Sequence, residues 1–99
     1  MPAYPHPAFP LPATLDTSDA TPLRHALLAG IERGEPLRLN GAEVVRVGQA
    51  CLQVLASGRA TASARGVGFR IDDPSDTLTR MIQLARLDVL LDPAAGAVA

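Results

Sequence analysis

The 99-residue sequence is poor in aromatic side chains and in cysteine. Aromatic residues make up 3% of the chain and tryptophan is absent, so the core has to be built from Leu, Val, Ile and Ala. The single cysteine, Cys51, excludes an internal disulfide and a metal site made of several thiolates. The two histidines, His6 and His25, do not complete a metal-ligand spacing with it. We therefore expect no metal and no cofactor.

Lysine is also absent. All nine cations are arginines, and they are spread singly along a chain whose net charge is −1. A nucleic-acid-binding surface usually needs clustered positive charge and aromatic side chains on which bases can stack. Nucleic-acid binding is therefore not expected as the main activity.

Long apolar runs are missing as well. No stretch approaches the ~20 apolar residues that span a membrane, and no basic segment followed by an apolar one stands at the N-terminus. No histidine, carboxylate and nucleophile are spaced as in a catalytic triad, and no glycine-rich phosphate loop is present. These absences predict a cytoplasmic protein with no membrane span and no catalytic residues.

The apolar content of 47% is sufficient for one small domain. Five of the nine prolines lie within the first twelve residues, so we expect a Pro-rich segment at 1–10, with room for a short edge strand at Ala8–Leu11. The domain itself is expected at residues 11–92. The small, uncharged residues at 93–99 are expected to form a flexible tail.

Between the two ends, the apolar spacing alternates between strand-like and helix-like patterns. Caps at Asp16–Asp19 precede a helical spacing that runs to Gly34. Asp73-Pro74 is typical of a cap followed by a first-turn proline. This order predicts an α/β layer structure with helices over a mixed sheet. The predicted elements are an extended piece at 13–15, a helix ending at Gly34, strands at 37–39 and 44–47 joined by an Asn40-Gly41 turn, a helix at about 49–65, a strand at 67–71 and a third helix.

The most informative stretch is the passage from the strand at 44–47 into the second helix with almost no loop. The first N–H groups of a helix lack intrahelical partners and lie at the positive end of its dipole, which suits an anion or a modifiable hydroxyl. The residues present are Gly48–Cys51, and no Ser, Thr, Asp or Glu lies between Glu43 and Ser57. The junction is thus the predicted functional site, although it lacks a hydroxyl.

The order of these elements resembles the STAS domain family, which is named for sulfate transporters and anti-sigma factor antagonists. The resemblance covers roughly Leu11–Leu91. It implies a STAS-like α/β fold with a small mixed β-sheet of about four to five strands and helices packed mainly on one face. The matching motifs are Leu15-Asp16 before the first helix, the strand Leu37–Asn40, the strand Val44–Val47, the turn Asp73-Pro74-Ser75 and the closing segment Ala85–Leu91.

The sequence departs from the family at the junction. Members that act as switches carry an Asp-Ser/Thr-x-Gly signature there, and a partner kinase phosphorylates the hydroxyl. Gln49 replaces this acceptor, and its amide neither accepts a phosphoryl group as a stable switch nor carries a charge that imitates one. The resemblance therefore implies a module that behaves as a permanently unphosphorylated family member. A second departure is Arg86, which stands where the family usually has a helix-ending glycine.

The function that the resemblance implies is that of a non-enzymatic protein–protein interaction module. Its partner would be a histidine-kinase-like ATPase of the anti-sigma type or a chemotaxis-associated signalling protein. The amides of Gln49 and Gln53 would make polar contacts with it. Arg46 and Arg59 would supply charge, and Leu52 would be an apolar anchor. The complete predicted partner-binding set is Gly48, Gln49, Ala50, Cys51, Leu52, Gln53, Arg46 and Arg59.

Two other function classes stay open. The chain could be the small STAS subunit of an ABC-type lipid transport system, with the transporter ATPase as its partner, although that member usually keeps a threonine at the junction. It could also be a passive assembly protein that does not switch. The sequence does not indicate an oligomeric state or whether nucleotide binds weakly.

Three alternatives concern single residues. Gln49 is either a partner contact or an exposed first-turn residue that caps free N–H groups. Cys51 is either a reactive thiol or, as we expect, a small buried apolar residue. Ser57, Thr61 and Ser63 are the nearest helical hydroxyls and offer alternative phosphorylation sites.

Overall fold

The computed structural model describes residues 9–91, and the predictions for residues 1–8 and 92–99 lie outside that range. Short strands and three longer helices follow one another along the described chain. Short 3-10 helices precede the first helix, at Thr17–Asp19, and follow the last one, at Asp88–Leu91. The strands and helices are β1 (Phe9–Pro10), β2 (Thr14–Leu15), α1 (Ala20–Glu32), β3 (Leu37–Asn40), β4 (Arg46–Val47), α2 (Gln49–Ala64), β5 (Phe69–Asp72) and α3 (Asp76–Leu84).

Every strand pairing among these residues is parallel. β3 lies between β1 and β5, with Leu39 opposite Phe9 of β1. β2 pairs with β4, where Leu15 lies opposite Val47. Because β1 and β2 belong to one short segment, residues 9–15, this segment joins the two sheets. It pairs with β3 at its start and with β4 at its end.

The α/β fold class and the number of strands are confirmed, and two details of the sheet differ from the prediction. The described pairings are all parallel, whereas a mixed sheet was expected. The strands on either side of the Asn40-Gly41 turn do not pair with each other, so this turn does not form a hairpin. β4 lies beside β2 instead, because the N–H groups of Val45 and Arg46 donate to the Ala13 carbonyl, at 2.8 and 3.1 Å.

β4 is shorter than predicted, since only Arg46 and Val47 of the four residues expected at 44–47 pair as a strand. The Val44 N–H donates to the Gly41 carbonyl at 3.3 Å, and the Val44 carbonyl accepts a hydrogen bond from the Ser75 hydroxyl at 2.6 Å. Both polar groups of the Val44 backbone are therefore engaged outside the sheet.

The first helix begins where the acidic residues predicted it. The Asp16 N–H donates to the Asp19 carboxylate at 2.8 Å across the 3-10 turn that leads into α1. Pro22 lies in the first turn of α1, where its missing N–H is not needed. The chain leaves this helix through Gly34, whose φ of +71° is the left-handed conformation that favours glycine. The buried residues of α1 are Leu23, Leu27, Gly30 and Ile31.

α2 packs closely against α1 because α2 has small side chains. A Cβ atom on Gly58 would lie 2.8 Å from Cδ1 of Leu27, which is closer than packed carbon atoms approach. The helix ends at Ala64, one residue before the predicted end. One face of the helix is buried, and Arg59 is the charged residue on it. The buried residues of α2 are Cys51, Leu52, Leu55, Gly58, Arg59 and Ala62.

The third helix is capped by Ser75, and the prediction of Asp73 as its cap was wrong. The Ser75 hydroxyl accepts a hydrogen bond from the Leu78 N–H at 3.0 Å. Asp73 has a φ of +47°, whereas an N-cap residue is extended. Pro74 therefore precedes the helix and does not lie in its first turn.

Arg86, the second departure from the family pattern, also has a positive φ, of +60°. This conformation costs a residue with a side chain about 1 kcal/mol relative to glycine. It explains why a glycine is expected at this position after α3. The Arg86 side chain itself is exposed.

The core is aliphatic, as the composition predicted. Its buried side chains come from every part of the described chain, and Leu23, Leu27 and Ile31 are those of α1, so the β segments and the three helices share one core. No helix within residues 9–91 is long and apolar enough to cross a membrane. The largest fully buried side chains of the core are Leu11, Leu15, Leu39, Leu52, Leu55, Leu78, Ile82, Leu90, Val44 and Cys51.

Candidate functional site at the start of the second helix

The junction between β4 and α2 consists of one residue, Gly48. Gly48 is extended, with φ −92° and ψ 169°, and its N–H donates to the Leu15 carbonyl at 2.9 Å. Its carbonyl accepts a hydrogen bond from the Leu52 N–H at 3.2 Å, which is the first bond of the helix. The predicted passage from strand to helix without a loop is therefore confirmed.

Three residues of the predicted partner-binding set are exposed around this junction. Gln49 is the first residue of α2, Gln53 follows it by one helical turn, and Arg46 lies in β4 just before the junction. Within the described chain no side-chain hydrogen bond caps the start of α2, so the alternative in which Gln49 is a cap is not supported. Gln49 is an exposed amide next to uncapped first-turn N–H groups.

The other residues of the set are less accessible. Gly48 and Ala50 are half-buried, and Cys51, Leu52 and Arg59 are buried. Leu52 therefore belongs to the core, and its burial argues against a role as an apolar anchor for a partner. The structure thus leaves Gln49, Gln53 and Arg46 exposed near the junction, whereas Leu52 and Arg59 are buried.

Cys51 connects α2 to the loop that follows β2. Its Sγ atom lies 3.2 Å from the Asp16 carbonyl oxygen, to which the thiol donates a hydrogen bond. Burial raises the pKa of the Cys51 thiol, and the negative charges of Asp19 and Asp16 raise it further. These effects oppose the helix dipole, which would lower the pKa. The expectation of a buried residue is confirmed, and the thiol stays protonated at neutral pH.

We expect a thiol reagent such as iodoacetamide to label Cys51 much more slowly in the folded protein than in the chain unfolded by urea. Burial hides the sulfur, and the raised pKa leaves little of the reactive thiolate. Mass spectrometry over a time course measures the labelled fraction. The control is the Cys51→Ala protein with Ser63→Cys, which carries a thiol at an exposed position of the same helix. Equal labelling rates for Cys51 in the folded and unfolded chains would contradict the assignment.

Arg59 is the only buried charged residue in the described chain, with 8% of its surface exposed. Its Nε and Nη2 atoms have no hydrogen-bond partner among the described residues. Burying the nitrogen atoms of a charged group without a partner is costly. The sequence did not indicate that Arg59 is buried. Arg59 follows a run of small residues, and such a run is equally typical of a solvent-exposed helix face. The side chain does not reach the surface that Gln49 and Gln53 form.

The sequence also did not single out the groove between α1 and α2. Arg24 of α1 borders it, and Ser57 and Thr61, considered above as phosphorylation sites, face the same groove from α2. Only the small side chains of α2 hinted at the close contact between the helices. Within residues 9–91, no three His, Cys, Asp or Glu side chains are grouped so that they could hold a metal ion.

Most of the chain matches one protein family. The model of a STAS family with the description "Mlab, STAS domain" matches residues 9–92. None of the curated proteins compared with the chain is significantly similar to it in sequence.

A solved structure shares the fold. It is the crystal structure of a protein from Thermotoga maritima, named as a candidate anti-sigma factor antagonist, and its TM-score to this chain is 0.70. The two sequences are 18% identical, and the match covers 82% of this chain and 72% of the other. At this identity the likeness concerns the fold, which agrees with the parallel strands and three helices described above.

Proposed function

Because the chain belongs to the STAS domain family, we propose that it is a non-enzymatic regulatory module that binds a protein partner through the start of α2. The binding surface consists of Gln49, Gln53 and Arg46. A histidine-kinase-like ATPase of the anti-sigma type, or a chemotaxis-associated signalling protein, is the class of partner that the family resemblance implies. Leu52 and Cys51, in the first turn of α2, are buried in the core next to this surface.

The observation that carries the proposal is the exposed Gln49 side chain on the first residue of α2. The strand-to-helix geometry at this point is intact, since the backbone of Gly48 bonds both to β2 and to α2. An amide can donate and accept hydrogen bonds with a partner, but it cannot be phosphorylated as a serine or threonine can. The module is therefore competent for its partner at all times and has no phosphorylation switch at this position.

Replacing Gln49 by glutamate is expected to weaken partner binding about tenfold, or about 1.4 kcal/mol. The change puts a permanent negative charge where a phosphorylated family member would carry one. It should not unfold the protein, because a negative charge in the first turn of a helix is favourable by about 0.3–1 kcal/mol. Partners are captured from the native host with the wild-type chain, and the affinity of each purified partner is then measured for both proteins.

Gln83→Glu is the matched control, because Gln83 is an exposed glutamine on α3. This variant makes the same chemical change away from the junction and is expected to bind like the wild type. If Gln49→Glu and Gln83→Glu bind every captured partner equally well, the start of α2 is not the contact surface and the proposal fails.

A second candidate function is the small STAS subunit of an ABC-type lipid transport system. It is kept because the matching family model and the solved neighbour have different descriptions, and only the neighbour's mentions an anti-sigma factor antagonist. Co-purification separates the two. A partner with a permease in the same complex favours the transport system, whereas a free histidine-kinase-like ATPase favours the anti-sigma type.

A further inference from the structure

The groove between α1 and α2 lies beside the proposed binding surface and has a defined shape. Its volume is about 270 Å³, and it opens where Gly58 and Leu27 bring the two helices together. Gln53 belongs both to this groove and to the surface at the start of α2. The two features are therefore continuous along one side of α2, since Gln53 follows Gln49 by one helical turn.

The groove is lined by apolar side chains and has one charged side chain at its border. Leu27 is buried, and Leu28 and Val54 are half-buried, so apolar surface is available inside it. Arg24 on the α1 side is exposed and is the only charged residue that lines the groove. Among the described residues no carboxylate lies within ion-pair distance of Arg24. The groove thus combines an apolar interior with one positive charge at its border.

The apolar interior and the single positive charge favour one class of binding partner for the groove. With a volume of about 270 Å³, the groove is at the lower limit of pockets for small-molecule ligands and has room for protein side chains. An amphipathic helix laid into a groove is a common mode of peptide recognition, and its apolar anchors recur at one-turn spacing. An acidic residue on such a helix would complement Arg24, which speeds association and selects the correct register.

We propose that this groove receives a helix of the partner protein, with an apolar side chain against Leu28 and Val54 and a carboxylate paired with Arg24. The inference rests on the proposed function, because the same partner would contact Gln49 and Gln53. It adds the chemistry of the partner: an amphipathic helix with an Asp or Glu about one turn from its apolar anchor.

The test uses the full chain and a displayed library of 16-residue helical peptides (roughly four turns). Peptides selected on the wild type are expected to combine Leu, Ile or Val with a neighbouring Asp or Glu. Arg24→Glu is expected to weaken their binding about fivefold or more. Replacing the acidic residue of the peptide by lysine is expected to restore binding to the Arg24→Glu protein. Arg80→Glu, an exposed charge reversal on α3, is the control and should leave binding unchanged.

Selected peptides that bind the wild type and Arg24→Glu equally well would overturn the groove proposal, as would a selection that yields no binding peptide. A free chain that forms a dimer, which Arg24→Glu dissociates, would also overturn it, because a second copy would then fill the groove. These results are independent of the Gln49→Glu measurement. Captured partners that respond to Gln49→Glu but not to Arg24→Glu would leave the proposed function standing and remove only the groove.

Discussion

Replacing Ser75 by alanine is expected to lower the free energy of unfolding by about 2 kcal/mol. The Ser75 hydroxyl accepts a hydrogen bond from the Leu78 N–H at 3.0 Å, which caps α3. The same hydroxyl donates to the Val44 carbonyl at 2.6 Å. Alanine removes the cap and also leaves the partly buried Val44 carbonyl without this donor. Urea denaturation followed by circular dichroism measures the loss.

Ser63→Ala is the matched control for this prediction. Ser63 is exposed in the last turn of α2, where alanine is at least as good a helix former, so a change within about 0.5 kcal/mol is expected. If Ser75→Ala is as stable as Ser63→Ala, then the hydroxyl neither caps α3 nor ties it to Val44. The loss also matters for function, because Val44 leads into β4 and the junction that follows it.

Replacing Arg59 by methionine is expected to raise the free energy of unfolding by about 1–3 kcal/mol. Nε and Nη2 of Arg59 are buried and have no partner among the described residues, so the folded state carries much of the cost of desolvating a charge. Methionine keeps an unbranched, flexible side chain of similar length and removes the charge. Urea denaturation gives the difference from the wild type.

The control for Arg59→Met is Arg65→Met, since Arg65 is exposed directly after α2. A change within about 0.5 kcal/mol is expected there. A less stable Arg59→Met protein would contradict the prediction. Partner affinity of the same variant tests the original expectation for Arg59. Unchanged affinity is expected, because the side chain does not reach the surface at Gln49.

These residues show how the chain builds the proposed binding surface. The core below the junction comes from Leu52 and Cys51, and the Cys51 thiol bonds to the backbone of the loop at Asp16. The exposed side chains at the start of α2 are those of Gln49 and Gln53. The proposed surface therefore consists of exposed amides on a rigid helix start, and the groove beside it contributes apolar area and the charge of Arg24.

Several structural features could be predicted because they depend on residues that are close in sequence. The helical spacing from Leu23 to Ile31 and its end near Gly34 are local properties of the chain. The direct passage from Val47 to Gln49 is also local, since the strand ends where the next residues take up helical spacing. The local pattern was less reliable at the third helix, where it predicted Asp73 as the cap, whereas Ser75 caps the helix and also donates to the distant Val44 carbonyl.

By itself, the sequence determined the family, the α/β class, the helices and the absence of a hydroxyl at the junction, because each of these depends on patterns of residues that are close in sequence. Only the tertiary structure decided the parallel pairing of β2 with β4, the burial of Arg59 and the groove beside Arg24. Each of these depends on segments far apart in the chain. The groove, for example, lies where Gly58 of α2 packs against Leu27 of α1. A periodic pattern shows that a residue lies on a helix face, but the element packed against that face decides whether the residue is buried.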